Sequence, residues 1–382
     1  MKSPKLIRLW LALSLIMVVL AGGCTATPTD APASFNRRFG SLVRPYTFNY
    51  AAWEFKTLYN ELMQETPASE KTVTTDSAVV FSFFSADPVN QDQTLKDQVE
   101  NILALQISQV LADNDIYNPF FNSHFIFPPV NFKLENPPNI LIISPRNKIE
   151  RTRDVTLKQE ISEDQMENLE SEIGELNVSA LVTPIGGLGA TYPSFVELNS
   201  DLKYTINTAT EEWLHQYLAF KPLGFRYVLD LLRIKPNTDI ASINETVAGL
   251  AAQEIGGLVY SRFYAQFPSK PEQKPDPAAF DFNAAMRETR LTVDSYLASG
   301  KIDQAESYME QRRQFINAHG YGIRKINQAY FAFYGSYTYS PTSVDPLGEQ
   351  VRTLRQQSPS LKDFLKSASG LTSRQELTDI LK

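Results

Sequence analysis

One cysteine, Cys24, is present in this chain of 382 residues, so an intrachain disulfide cannot form. A chain without disulfides needs a hydrophobic core that is large enough to stabilise its fold unaided. Hydrophobic residues make up 43% of the sequence, and about 350 residues follow the N-terminal leader described below. The chain is therefore long enough and apolar enough for one large domain or two medium ones.

The first residues have the pattern of a secretory signal. Three basic residues (Lys2, Lys5 and Arg8) precede an apolar run over 9–20, which small residues follow. This run is shorter than the ~20 residues that span a membrane, so we predict a signal peptide over residues 1–23. Cys24, directly after the small residues, resembles the bacterial lipobox, in which the cysteine is acylated and becomes the new N-terminus.

The lipobox resemblance implies lipidation of Cys24 and a lipid anchor in the cell membrane, on its extracytoplasmic side. Residues 24–45 begin with a stretch rich in Thr, Pro and Ala and are predicted to be a flexible tether. The alternatives are a plain membrane anchor and a soluble secreted protein. The net charge of −7 becomes more negative once the basic signal is removed, and no Lys/Arg cluster recurs along the chain. We therefore expect no nucleic-acid partner.

Hydrophobic spacing predicts a mixed α/β portion over residues 46–267. Apolar residues at intervals of three and four predict helices over 49–64, 92–111, 156–176, 206–219 and 242–266. Runs of β-branched and aromatic residues predict strands over 78–85, 139–144, 179–183 and 192–198. Two turns or one short helix are expected between the last two helices, because proline-containing turn sequences lie there.

An all-helical portion is predicted for residues 278–382. The proline-rich stretch 268–277 is typical of a linker. After it we expect a helical hairpin over 280–298 and 301–318, an aromatic-rich helix over 321–337 and a helical tail over 345–381. The predicted fold class is therefore α+β, with a small sheet in the N-terminal portion.

Two of the predicted helices carry residues with the spacing of a metal site. Glu211 and His215 are four residues apart, so they lie one helical turn apart and can reach one ion, with Glu212 beside them. Glu245 follows on the second helix, where small neighbours allow close helix packing, and Asn244 precedes it. The alternative is a solvated face of glutamates, with His215 an ordinary surface residue and Asn244 a helix cap.

These residues give the chain a resemblance to the gluzincin class of metallopeptidases, and within it to a bacterial group of lipoprotein aminopeptidases. In gluzincins a His-Glu-x-x-His helix is followed by a helix that begins Asn-Glu, whose glutamate is the third metal ligand. Glu212 and His215 match the first helix, and Asn244 and Glu245 match the second. Glu211 departs from the pattern, because it stands where the first histidine would be.

The resemblance implies that Glu211, His215 and Glu245 bind a divalent metal, with zinc preferred over manganese or iron. Glu212 would be the general base. Asn244, from its position beside Glu245, is expected to hold a ligand carboxylate by a hydrogen bond. A carboxylate in place of the histidine makes the site less positive, so water would be activated less. The implied activity is hydrolysis of a peptide or protein substrate by a metal-activated water. The alternative is an inactive lipoprotein with a peptidase fold that binds peptides or envelope partners.

The resemblance also extends to two stretches outside the metal helices. The segment 187–196 is expected to be the edge strand of the cleft, where an extended peptide could pair. The segment 308–330 carries the likeness to the lipoprotein group, and Asn327 within it would hold a loop or a substrate end. Candidates for stabilising the transition state are His319, Tyr321, Arg324 and Tyr330, of which Tyr330 is preferred. His124 is expected to be structural.

Overall fold

The computed structural model describes residues 33–63, 77–86, 93–120, 124–199, 201–268, 280–337 and 340–382. The predicted signal peptide, Cys24 and the first part of the predicted tether lie outside the described residues, as does nearly all of the predicted linker. Within the described ranges, no helix is both long enough and apolar enough to cross a membrane.

Helices make up most of the described chain. In chain order they are α1 (Ala33–Val43), α2 (Tyr50–Met63), α3 (Ser77–Ser85), α4 (Lys96–Asp113), α5 (Glu163–Gly174), α6 (Leu202–Leu218), α7 (Pro222–Leu231), α8 (Thr238–Phe263), α9 (Phe282–Ala298), α10 (Ile302–Asn317), α11 (Gln328–Tyr334), α12 (Leu347–Gln357), α13 (Leu361–Ser369) and α14 (Arg374–Ile380). The strands are β1 (Phe132–Leu134), β2 (Asn139–Pro145), β3 (Arg153–Leu157), β4 (Val178–Pro184), β5 (Gly187–Leu188) and β6 (Ser194–Val196). The predicted α+β class, with a helical C-terminal portion, is confirmed.

The longer sheet has the strand order β3–β2–β4, and both of its pairs are antiparallel. Its central strand β2 is an almost continuous apolar run, as expected for a strand that is covered on both faces. Leu141 and Ile143 face a core formed with α1 and α5. Ile142 and Leu181 point to the opposite face, where α11 packs.

The shorter sheet has the order β1–β6–β5, with β6 parallel to β1 and antiparallel to β5. The single edge strand predicted over 187–196 is therefore wrong in form, because this segment folds back on itself as the β5–β6 pair. β5 occupies the edge of the sheet, and its two residues are glycine and leucine.

Helices α6 and α8 pack along each other within the largest hydrophobic core. A Cβ atom at Gly256 of α8 would clash with Oδ1 of Asn207 on α6, so glycine allows the two helices to approach. Helices α12, α13 and α14 add Val351, Phe364 and Leu377 to the same core. The last three helices therefore support the α6–α8 pair, whereas α9 and α10 belong to a separate cluster. The domain boundary near 268–277 stays a prediction.

Two predictions of local structure in the N-terminal half are wrong. The run 78–85 forms helix α3 and not a strand, because Val80, Phe83 and Phe84 are spaced so that a helix buries all three in the core. The helix predicted over 156–176 begins only at Glu163, after strand β3, where Ser162 forms a capping box with Gln165.

Two further boundaries differ from prediction. Residues 33–43, placed in the flexible tether, form helix α1, which buries Phe39 and Val43 against the longer sheet. The aromatic helix predicted over 321–337 is shortened to α11, because the side chain of Asn327 caps its first turn by accepting from the N–H of Tyr330.

Candidate functional site

The three predicted metal ligands converge. Glu211 and His215 lie one turn apart on α6, and Glu245 extends from the facing turn of α8. One potential ligand atom from each of the three side chains lies within 4.8 Å of the others. Glu245 is buried, and Glu211 and His215 are half-buried. This group could therefore hold a metal ion.

The orientation of His215 is fixed from the second helix. Its Nδ1 atom donates a hydrogen bond to Oδ1 of Asn244 over 2.9 Å. Because this oxygen only accepts, the neutral imidazole carries its hydrogen on Nδ1 and leaves a lone pair on Nε2. Nε2 lies 3.7 Å from Oε2 of Glu245. The atom that faces Glu245 is thus the one that can bind a metal. Asn244 holds the histidine, whereas the sequence predicted that it would hold a ligand carboxylate.

Glu245 is held by a residue that the sequence analysis missed. Tyr227, on α7, donates a hydrogen bond from its hydroxyl to Oε1 of Glu245, and its ring lies 5.9 Å from the His215 ring. Oε2 of Glu245 is left to face His215. Burial and the adjacent Glu245 carboxylate raise the pKa of Tyr227 well above its usual range, so the hydroxyl keeps its proton.

The side chain of Glu212 extends from α6 towards strand β5. Its side chain is buried, and its carboxylate accepts a hydrogen bond from the backbone N–H of Gly189. A Cβ atom at Gly187 would lie 2.7 Å from Cδ of Glu212, and one at Gly189 would lie 2.8 Å from its carbonyl oxygen. The two glycines therefore allow the edge strand to lie directly against the predicted general base.

Side-chain bonds also fix the position of α6 relative to the adjoining loops. The indole Nε1 of Trp213 donates to the carbonyl oxygen of Pro128 over 2.7 Å. On the next turn, Nε2 of Gln216 donates to the carbonyl oxygen of Thr191, in the loop between β5 and β6, over 2.8 Å. Both bonds are buried, so the edge strand and the helix that carries Glu211 and His215 are held together.

Burial and like charges determine the protonation of the carboxyl groups. Burial raises the pKa of Glu211 to about 7, with His215 opposing the shift and Glu245 adding to it. Burial raises the pKa of Glu212 to about 8, with His215 and the Gly189 N–H opposing the shift and the charges of Glu211 and Glu245 adding to it. Burial alone would lower the pKa of His215, but the surrounding carboxylates raise it. A cation at this site would therefore relieve carboxylate repulsion.

The donor set fits a divalent ion. A tetrahedral site with bonds of about 2.1 Å places its ligand atoms about 3.4 Å apart, so an inward movement of about one ångström is sufficient. The non-binding atoms of His215 and Glu245 are already held by Asn244 and Tyr227. Such outer hydrogen bonds are what metal ligands usually have, because they fix tautomer and direction.

A half-buried ion network adjoins Tyr227. Asp154 of β3 pairs with Arg151 over 3.1 Å and also with Arg233, which lies just beyond α7. These two guanidinium groups hold the pKa of Asp154 below its usual range, against the effect of its burial. Tyr337 and Arg151 both interact electrostatically with Tyr227. The network thus joins the longer sheet to α7, the helix whose Tyr227 donates a hydrogen bond to Glu245.

The other predicted residues lie in contacts of their own. Tyr330 packs its ring against Tyr334 and Phe331 of α11, at 4.5 and 5.7 Å between centroids, so its catalytic role stays a prediction. The contacts of the remaining candidates are as follows: Arg324 forms an ion pair with Glu170, His319 stacks on Phe280, Tyr321 stacks on Phe282, Asn327 donates to the carbonyl oxygen of Ala180, and His124 meets Tyr117 edge-on.

Comparisons with protein-family models, with curated proteins and with solved structures find no match to this chain. The chain is therefore assigned to no family.

Proposed function

We propose that the protein is a membrane-anchored, extracytoplasmic metallopeptidase of gluzincin type that hydrolyses peptide bonds. The observation that carries this proposal is the convergence of Glu211, His215 and Glu245, with a fourth carboxylate, Glu212, next to them on α6. Three protein ligands leave one coordination position of a tetrahedral metal open, which is the arrangement of catalytic zinc sites.

Glu212 would exchange protons with water and the leaving group. Its carboxyl group has a pKa of about 8 in the metal-free protein, and the Gly189 N–H fixes its direction. A general base works best when its pKa is close to the working pH. A metal ion, when bound, would act as a Lewis acid and lower the pKa of water. Its positive charge would also lower the pKa of Glu212, so that the base is ionised near neutral pH.

Strand β5 supports an extended peptide as substrate. It is the edge strand of its sheet, and Gly187 and Gly189 lie against Glu212. An extended chain that adds to such an edge makes backbone hydrogen bonds and places its peptide bonds in a fixed register. Glu211, His215 and Glu245 are called the ligand group below. A peptide paired to β5 would thus pass close to both Glu212 and the ligand group.

Zinc is the metal that we propose first, with manganese or iron as alternatives. Two carboxylates and one imidazole bring a divalent site to a net charge of about zero, compared with about +1 for two imidazoles and one carboxylate. A carboxylate-rich site also favours harder ions. Hydrolysis would therefore be slower than in a site with two histidines.

A catalytically inactive peptide-binding lipoprotein is the second candidate. It is favoured by the 3.7 Å approach of His215 Nε2 to Glu245 Oε2, which a protonated histidine turns into an ion pair without a metal. In that state the carboxylates and the histidine neutralise one another in part. The fold around β5 would then be used for binding alone.

Metal content and hydrolysis together test the proposal. The purified protein should contain one zinc, manganese or iron ion per chain, and Glu245→Gln should lose it. Glu212→Gln should keep the metal but lose cleavage of fluorogenic peptides. Glu254→Gln is the matched control, because Glu254 lies on α8 but pairs with Arg355. Stoichiometric metal without hydrolysis, or no metal after reconstitution with each ion, would favour the binding protein.

A further inference from the structure

An exposed apolar patch lies on α7, on the side opposite the ligand group. Phe225 is 57% exposed and Ile234 is 66% exposed, both high for residues of this type. Half-buried Leu229 lies four residues after Phe225, so the two share one helix face. Phe225, Leu229 and Ile234 are referred to below as the α7 patch.

The end of α7 explains how Ile234 joins that face. Arg233 has a φ of 56°, in the left-handed region, and its N–H bonds to the carbonyl oxygen of Asp230. The N–H of Ile234 bonds to the carbonyl oxygen of Leu229 over 3.0 Å. This pair of bonds is a Schellman motif, which turns the chain back so that the residue after the left-handed position packs near the last helical turn.

The α7 patch faces away from the site. Tyr227, which holds Glu245, is two residues from Phe225, and successive helical residues are about 100° apart. Their side chains therefore project from opposite sides of α7. If another surface covered the α7 patch, Glu245 would lie about 10 Å, one helix diameter, above that surface.

The segment 221–235 is net basic, whereas the whole chain is net acidic. The net charge of the protein is −7. Between positions 221 and 235, however, the only acidic residue is Asp230, which is buried and accepts from the N–H of Asn237. The basic residues of this stretch are Lys221, Arg226, Arg233 and Lys235, and of these Arg233 is paired with Asp154. Basic side chains around an exposed apolar face are typical of helices that lie in a membrane interface.

The described chain begins close to the end of α7. Arg153 of β3 donates to Oδ1 of Asn36 at the start of α1 over 2.8 Å. Its neighbour on the strand, Asp154, holds Arg233 at the end of α7. Only eight residues lie between Cys24 and Ala33, and the nine Cα–Cα steps that join these two residues span at most about 32 Å. An anchor at Cys24 would thus keep this side of the protein within that reach of the membrane.

We propose that the α7 patch docks on the membrane surface that holds the anchor. This inference rests on the lipid-anchored part of the proposed function. With the patch docked, the ligand group lies about one helix diameter above the lipid headgroups. The substrates would then be extended peptide segments close to the membrane surface, such as the juxtamembrane parts of other exported proteins.

Depth measurements on the full chain test the docking. Acylation at Cys24 consumes the only native thiol, so Phe225→Cys or Ile234→Cys introduces a unique labelling site in the lipidated protein. The lipidated variants, each carrying a bimane label, are placed in vesicles that contain anionic phospholipid. Leu291→Cys on α9 is the control, because Leu291 is 50% exposed and the buried residues of α9 belong to a different core cluster.

Labels at positions 225 and 234 should be quenched severalfold more by doxyl-labelled lipid, and less by aqueous iodide, than the label at position 291. Equal iodide quenching at all three positions overturns the docking. Shielding from iodide without quenching by lipid also overturns it, because the patch is then covered by a second copy or another protein. A free Cys24 thiol, detected by mass spectrometry before labelling, instead overturns the anchor and the docking that depends on it.

Discussion

The Nδ1 atom of His215 on α6 donates to Oδ1 of Asn244 on α8 over 2.9 Å, so the helix that carries Glu245 orients the histidine of the other helix. The bond keeps the hydrogen of neutral imidazole on Nδ1 and directs Nε2 towards Glu245. Asn244 is fully buried, and its Nδ2 atom has no hydrogen-bond partner among the described residues. Its orienting bond therefore gives a reason for a polar side chain at a buried position.

Replacing Asn244 should weaken metal binding much more than it weakens the fold. Asn244→Ala removes the acceptor for Nδ1, and loss of such an outer hydrogen bond costs about 10–100-fold in metal affinity. Asn244→Asp keeps an acceptor at the same place and should restore most of the affinity. Competition with a chelating indicator measures both variants.

The matched control for this prediction is Asn237→Ala on the same helix. Asn237 caps α8 by accepting from the N–H of Ile240, and loss of a cap costs about 1 kcal/mol of folding free energy. Metal affinity should be unchanged in that variant. An equal loss of affinity in both variants would show that α8 stability, and not the orientation of His215, limits metal binding.

Substitutions at the edge strand should separate metal binding from hydrolysis. A Cβ atom at Gly189 would lie 2.8 Å from the Glu212 carbonyl oxygen and 2.9 Å from its Oε2 atom. Gly189→Ala should therefore displace the base, cost about 1–3 kcal/mol through overpacking and slow peptide hydrolysis about a hundredfold. Metal content should stay stoichiometric, because Glu212 is not a ligand.

Gly257→Ala provides the control for that prediction. Gly257 lies inside α8, and an added Cβ atom would meet nothing within 4 Å. Alanine should raise the free energy of unfolding by about 1 kcal/mol, because glycine is the poorer helix former. If Gly189→Ala hydrolyses peptides as fast as Gly257→Ala, the close approach of β5 to Glu212 has no part in catalysis.

The ligand group could be predicted from the sequence, whereas the residues that hydrogen-bond to its side chains could be predicted only in part. Glu211 and His215 share a helical turn whatever the rest of the chain does, so their juxtaposition follows from spacing alone. Asn244 was singled out because it directly precedes Glu245, but a ligand carboxylate, and not His215, was the predicted partner. Tyr227 was missed, because its reach to Glu245 depends on how α7 packs against α8, and no local pattern specifies that packing.

The secondary structure shows the same contrast. Elements that local sequence specifies were predicted, whereas elements that depend on tertiary packing were not. Strands β2 and β4 were predicted because each has consecutive apolar residues at its centre. The segment 78–85 has the composition of a strand, yet its burial in the core against α4 favours a helix. Strand β3 was missed, because an edge strand that carries Arg153 and Asp154 shows little of the apolar pattern used to find strands.

The metal-free protein should lose stability as the pH rises. Glu211 and Glu212 have pKa values raised to about 7 and about 8, so the folded state binds protons that the unfolded state has released. The free energy of unfolding should therefore decrease from about pH 4.5 to pH 8, by a few kcal/mol in total. The raised pKa of His215 acts in the same direction, since its stabilising contribution is present at low pH and lost as the pH rises through that pKa.

Thermal melts with and without a chelator measure this effect. Bound metal prefers the ionised carboxylates, so the stabilisation by added zinc should increase from pH 5 to pH 8. Glu211→Gln should flatten the pH dependence of the chelated protein. Chelated wild-type protein that is equally stable across this range would contradict the crowding of buried carboxyl groups at the site.

A second buried carboxyl group, Glu54 on α2, should affect stability in a separate way. Its side chain is fully buried, Oε1 accepts from the N–H of Tyr192 over 3.3 Å, and Oε2 has no partner among the described residues. Burial raises the pKa of Glu54 to about 7, with the Tyr192 bond opposing the shift. Ionisation of Glu54 above that pKa is therefore unfavourable in the folded protein.

Glu54→Gln should stabilise the protein at about pH 8 and change little at about pH 5, where the carboxyl group of the wild type is already protonated. The gain at the higher pH should be on the order of 1–3 kcal/mol in chemical denaturation. Tyr192 lies in the loop between β5 and β6, so the same variant tests whether this loop needs a charged partner. Unchanged metal content and peptide hydrolysis in Glu54→Gln would assign Glu54 to stability alone, whereas a loss of stability at pH 8 would mean that the ionised carboxylate is stabilised by its surroundings.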